Sequence, residues 1–236
     1  MESALAELKA VAGAPDASQL LAAARGGQMP LPELMNRAQG LQNAGQTESA
    51  AKLYEVWIAH TASPLRHVAC FNWGTLLSGA DQTKAAQAAY EQALVHHPGF
   101  APAQLNLGHL YERAGDTEAA LRLWESVFEA QASASLDLRL HALNNSARLL
   151  ETLRRYPRSE ALMRRSLELK ATQPDVIQHY VHIRQKQCAW PHDLAVGEVS
   201  ANQFLMGTSL LAMMGLSDDP ALQLLAAQRF VNEKVA

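Results

Sequence analysis

The chain has 236 residues, 48% of them hydrophobic and 6% aromatic, with a formal net charge of −3. That balance gives no reason to expect a nucleic-acid partner, and two cysteines, Cys70 and Cys188, make neither a disulfide framework nor a zinc site. Alanine, leucine and glutamine outweigh β-branched residues, a composition that suits stacked amphipathic helices.

Residues 1–30 are expected to form short capping helices ending at Gly26-Gly27, since MESALAELKAVAGA reads as an ordinary helix and not as a charged-then-apolar leader. From Leu31 a pattern recurs. Small residues stand at Ala38, Gly74, Gly108 and Ala147, and two positions before each stands Asn36, Asn72, Asn106 or Asn145. Ala50, Ala86 and Ala120 align with Ser159, and Tyr54, Tyr90 and Trp124 align with Met163. Pro98 closes the second unit. The pattern resembles the tetratricopeptide repeat, a helix–turn–helix unit of about 34 residues. It predicts an all-α, right-handed solenoid with four units over 31–173, the fourth starting late because ASASLDLRL is inserted. With the small residue taken as position 8, it lets each first helix approach its second closely. The aromatic near position 24 fills the space between units.

A fifth first helix is expected over 174–190, opening at Pro174, and Pro191 forbids its simple continuation. The last segment, 191–236, reads as a linker followed by a helix that starts at Ser217-Asp218-Asp219-Pro220. Its apolar residues Leu224, Leu225, Phe230 and Val231 must pack on something. The run from Phe204 to Leu216 is too short and too punctuated to span a membrane, so a cytoplasmic protein with no membrane partner is the expectation.

The asparagines carry the functional reading. Position 6 lies two residues, about 200° of helical rotation, from the packing residue, and so points into the inner curve of the repeat. Four of the eight asparagines fall there, although asparagine is a mediocre helix former. Such amides can hold the backbone of an extended peptide; the blander reading is that they only solvate the groove or bond a neighbouring helix. In the same frame His179 and His182 take positions 6 and 9 of the fifth helix. Their spacing suits a metal, but no third ligand is evident, so they read as groove lining. The expected peptide-binding residues are thus Asn36, Asn72, Asn106, Asn145, His179 and His182, with no catalytic residue, metal or cofactor. Arg148, Arg154, Arg155, Arg158, Arg164 and Arg165 alternate with Glu151, Glu160 and Glu168 and read as a solvated, ion-paired face. Cys188 beside Trp190 reads as a buried small hydrophobe.

The runs PDVIQHYVHIRQKQCAWP and GTSLLAMMGLSDDPALQLLAAQRFVNEKV resemble the segment that joins repeats to catalytic domain in bacterial SPINDLY-type proteins, relatives of O-GlcNAc transferase. The resemblance covers 31–236, with 174–236 as its specific part. It implies that the four asparagines form a ladder gripping substrate polypeptide. It also implies that a glycosyltransferase domain, absent from these residues, uses a nucleotide sugar to modify Ser or Thr. A stand-alone adaptor is the alternative. A co-chaperone clamp for a terminal carboxylate is disfavoured, because positions 2 and 5 hold Pro32, Val68, Pro102, His141 and Met35, Phe71, Leu105, Asn144 instead of lysines. An enzyme complete within this chain lacks the motifs for it.

Overall fold

The computed structural model describes residues 17–130 and 134–234; within them there are helices and no strand. After α1 (Ala17–Arg25) come α2 (Leu31–Asn43), α3 (Thr47–His60), α4 (Arg66–Gly79), α5 (Thr83–His96), α6 (Ala101–Arg113) and α7 (Thr117–Glu129). Then follow α8 (Leu136–Thr152), α9 (Tyr156–Leu169), α10 (Pro174–Lys186), α11 (Ala201–Gly207), α12 (Leu210–Met214) and α13 (Pro220–Lys234). The chain divides into two compact units, residues 1–110 and 111–236, with the division inside α6.

The first helix of each repeat stops by one device. At Gly45, Asp81, Gly115, Arg154 and Cys188 the backbone turns left-handed, with φ between 52° and 84°. Each of these residues lies seven beyond position 8 of its repeat. In every case that residue's N–H bonds the carbonyl three back, and the next N–H bonds the carbonyl five back, as in Cys188 to Gln185 and Ala189 to Arg184. This double bond pattern satisfies carbonyls that the helix end would leave open. In the four complete repeats the residue after the left-handed one is the N-cap of the second helix. Only Asp116 among these caps with its side chain, accepting from the Ala119 N–H at 3.0 Å. Two of the five left-handed positions hold glycine; the other three carry the steric cost of a side chain there.

In the first unit, Leu34, Ala38, Ala50, Leu53, Tyr54 and Trp57 form one core with Leu20 and Ala24 of α1. The Trp57 indole N–H donates to the Met29 carbonyl at 2.7 Å. Gly74 of α4 sits against the Tyr90 ring of α5 so tightly that an added Cβ would lie 2.7 Å from two ring carbons. In the second unit Ala147, Met163, Val176, Tyr180 and Phe204 share a core, the last two with ring centroids 5.1 Å apart. Arg184, only 6% exposed, pairs with Glu160 and donates to the Pro191 carbonyl from Nε and Nη2 at 3.1 and 2.8 Å. It thereby pins the chain leaving α10.

Several expectations change. The helix of the fourth unit begins within the inserted stretch, residues 136–139 forming the first turn of α8, capped by Ser135 accepting from the Leu138 N–H. Cys188 is exposed, not buried, because it occupies the left-handed helix end; Cys70 is the buried thiol, pushed by burial up to about 11. Five of the six arginines of the fourth repeat are ion-paired, four of them across repeats: Arg148 with Glu112, Arg155 with Glu118, Arg158 with Glu125 and Arg165 with Glu129. Of the interleaved glutamates only Glu160 pairs with one of these six arginines, Arg164. In α13, started by Asp219 accepting from the Ala221 N–H at 2.8 Å, Leu224, Leu225 and Val231 are exposed, and the Phe230 side chain lies outside the described residues.

Two substitutions should move stability in opposite directions. Gly74→Leu overpacks the Tyr90 contact and should cost about 3 kcal/mol. Cys188→Gly relieves a left-handed side chain at an exposed site and should gain up to about 1 kcal/mol. Urea unfolding of each variant measures both; equal midpoints would contradict them.

Candidate functional site

The expected groove residues are not equivalent. Asn36 is exposed on α2, beside Pro32, Glu33 and Arg37, the last two ion-paired at 3.5 Å. Asn106 is half-buried on α6 and its Nδ2 donates to the Tyr90 hydroxyl at 3.2 Å. That hydroxyl lies 3.3 Å from Thr75 Oγ1, so one tyrosine ties position 9 of its own repeat to position 6 of the next.

Asn72 holds in its repeat the place of Asn106, and Tyr54 the place of Tyr90. The corresponding bond is missing: the Asn72 Nδ2 is buried without a partner. A buried donor left unmet costs about 1–3 kcal/mol. Beside it opens a cavity of about 430 Å³ lined by Met35, Gln39 and Gln42 of α2, Tyr54 of α3, and Thr75 and Leu76 of α4. Burial raises the Tyr54 phenol above its ordinary pKa, so it stays neutral. Among the described residues no Asp, Glu, Lys, Arg or His lines the cavity. It is an uncharged recess with Asn72 on its wall, the amide nitrogen of that residue withdrawn from water.

In the second unit the same helix face is charged and satisfied. Asn145 is half-buried on α8 and engaged within the protein. Its neighbour Asn144 donates to Gln173 at 3.0 Å and accepts from the Ser166 hydroxyl at 2.7 Å. His179 and His182 are both exposed on α10. The His179 Nδ1 lies 3.1 Å from Glu151 Oε2, and Lys186 Nζ is 3.4 Å from the other oxygen. Burial and the Lys186 charge hold His182 below the usual imidazole range, which favours its neutral form. Among the described residues no group of three or more His, Cys, Asp or Glu side chains is placed to hold a metal. None of the described helices is long and apolar enough to cross a membrane.

The structure adds Tyr54, Tyr90, Thr75 and Gln39 to the site. Sequence reading places both tyrosines as packing residues. The signal for more is their hydroxyl: only the first two repeats carry tyrosine where the others carry Trp124 and Met163.

No protein-family model matches the chain. A curated protein of Fusarium oxysporum f. sp. lycopersici, the tetratricopeptide repeat and J domain-containing co-chaperone DNJ1, is 29% identical over 106 residues. The match takes in 45% of this chain and 20% of that protein, so the chain spans about a fifth of its curated relative. Among solved structures, a tetratricopeptide repeat protein from Parabacteroides merdae matches at TM-score 0.60 and 18% identity, over 84% of this chain and 72% of that one. YrrB, described as a TPR protein with an unusual peptide-binding site, matches at 0.56 and 15%, over 90% and 99%. PilF of Pseudomonas aeruginosa matches at 0.55 and 17%, over 90% and 85%. The chain has the fold of tetratricopeptide-repeat proteins.

Proposed function

We propose that the chain is a polypeptide-binding module, and that its groove includes the first-helix face of residues 17–110. The observation that carries this reading is the unmet Asn72 donor beside an uncharged recess, next to an equivalent, Asn106, that the protein satisfies by itself. With its amide turned into the recess, Asn72 donates to a peptide carbonyl the bond that Tyr54 does not take. Extended chains offer such carbonyls whatever their sequence, and repeat solenoids commonly bind in this way. Two of the similar proteins are described as a co-chaperone and as having a peptide-binding site, which supports a protein-handling role. A clamp for a terminal carboxylate finds no lysine or arginine in the recess.

A finer reading rests on residues 174–236, whose sequence resembles the joining segment of SPINDLY-type proteins. On it, the module selects substrates for an O-glycosyltransferase domain, and Asn36, Asn72, Asn106 and Asn145 make up the ladder. The alternative is a stand-alone adaptor. An antibody against this chain separates them: a native product far above 25.7 kDa favours the transferase, and one at 25.7 kDa the adaptor.

Dodecapeptides selected from a random display library on the intact chain should bind Asn72→Ala at least tenfold more weakly. Asn72→Ala should unfold at the same or higher urea concentration, because an unmet donor is removed. Asn106→Ala should instead cost about 1 kcal/mol of stability through the lost Tyr90 bond. Unchanged peptide affinity in Asn72→Ala would remove the assignment.

A further inference from the structure

We infer that the recess beside Asn72 is a specificity pocket that takes one uncharged, apolar side chain of the bound polypeptide, while the adjoining backbone carbonyl accepts from Asn72. The inference rests on the polypeptide-binding reading and deepens it. Its first support is the make-up of the wall. Met35, Leu76 and the Tyr54 ring give an apolar lining, and the polar groups around them are amides and hydroxyls without formal charge. A charged side chain entering there would lose water and meet no opposite charge, a penalty that neutral side chains escape.

The second support is size. A volume of about 430 Å³ lies at the lower end of ligand-site volumes, suited to one or two side chains and far too small for a folded partner surface. Met35 is 40% exposed, and its thioether can adjust to side chains of different shape. At the rim Gln39 donates from Nε2 to Asn43 at 3.0 Å, and of the lining residues Asn72 is the one whose donor is both buried and unmet. The nearest charges on α2, Glu33 and Arg37, are paired with each other.

Gly79 provides a way to close the pocket without disturbing the core. It lines the recess at the end of α4, and a Cβ added there meets nothing within 4 Å. The experiment pans a random dodecapeptide display library on the intact chain. It then measures the selected peptides by fluorescence polarisation on wild type, Gly79→Trp and Asn72→Ala, with circular dichroism confirming that both variants fold. Enriched peptides should share an apolar residue flanked by uncharged ones. Changing that residue to Asp or Lys should weaken binding at least tenfold, as should Gly79→Trp. Affinity should change less than twofold between 50 and 500 mM sodium chloride, because no ion pair is made. A charged consensus, or tolerance of both the Lys peptide and Gly79→Trp, overturns the pocket. If Asn72→Ala alone abolishes binding, the groove stands and the pocket falls; if neither variant matters, or no peptide is enriched, both fall.

Discussion

A left-handed residue seven beyond each packing position governs how this molecule repeats. It ends one helix, satisfies the carbonyls there by two backbone bonds, and in each complete repeat releases the chain directly into the next helix. The turn between paired helices is therefore carried by the same backbone hydrogen bonds whether the residue is glycine, aspartate or arginine. Close approach of the pair follows, and with it the need for a small residue at position 8. The Gly74–Tyr90 contact is the tightest instance.

Once the helices are fixed, the tyrosine hydroxyls decide where hydrogen-bonding capacity is spent. Tyr90 joins Thr75 to Asn106 and closes that junction. One repeat earlier Tyr54 and Asn72 stand at the frame positions of Tyr90 and Asn106, with Gln39 at that of Thr75, yet the bond is not made and a cavity lies in its place. Two successive junctions of one repeat frame thus close differently, one with a hydrogen bond and one with a recess. The second unit departs in the other direction, with the amides of Asn144 and Gln173 and the carboxylate of Glu151 all occupied by neighbours.

Much of the fold was legible because its determinants are local in the repeat frame: small residues, aromatics and prolines at fixed offsets. The left-handed ends were legible only at Gly45 and Gly115. At Asp81, Arg154 and Cys188 the backbone imposes the conformation on residues that do not advertise it, and this is why Cys188 is exposed where its apolar character suggested burial. Ion pairing was legible as a property and not as a set of partners. Arg148 and Arg165 each reach a glutamate 36 residues away, about one repeat period, where a reading along a single helix looks four away. At the candidate site the asparagine positions could be read from the chain. Which of them keeps an unmet donor could not, because that depends on a distance between side chains of neighbouring repeats.

The far end of the chain has a consequence for the protein in solution. Leu211 and Met214 on α12, and Leu224, Leu225 and Val231 on α13, all present apolar surface to water. Water around such surface is ordered, so contacts that cover it are entropy-driven near room temperature and strengthen on warming. Sulfate and phosphate act in the same sense by being excluded from the surface, whereas urea weakens the effect. Contacts made through this end therefore respond to temperature and to the kind of salt.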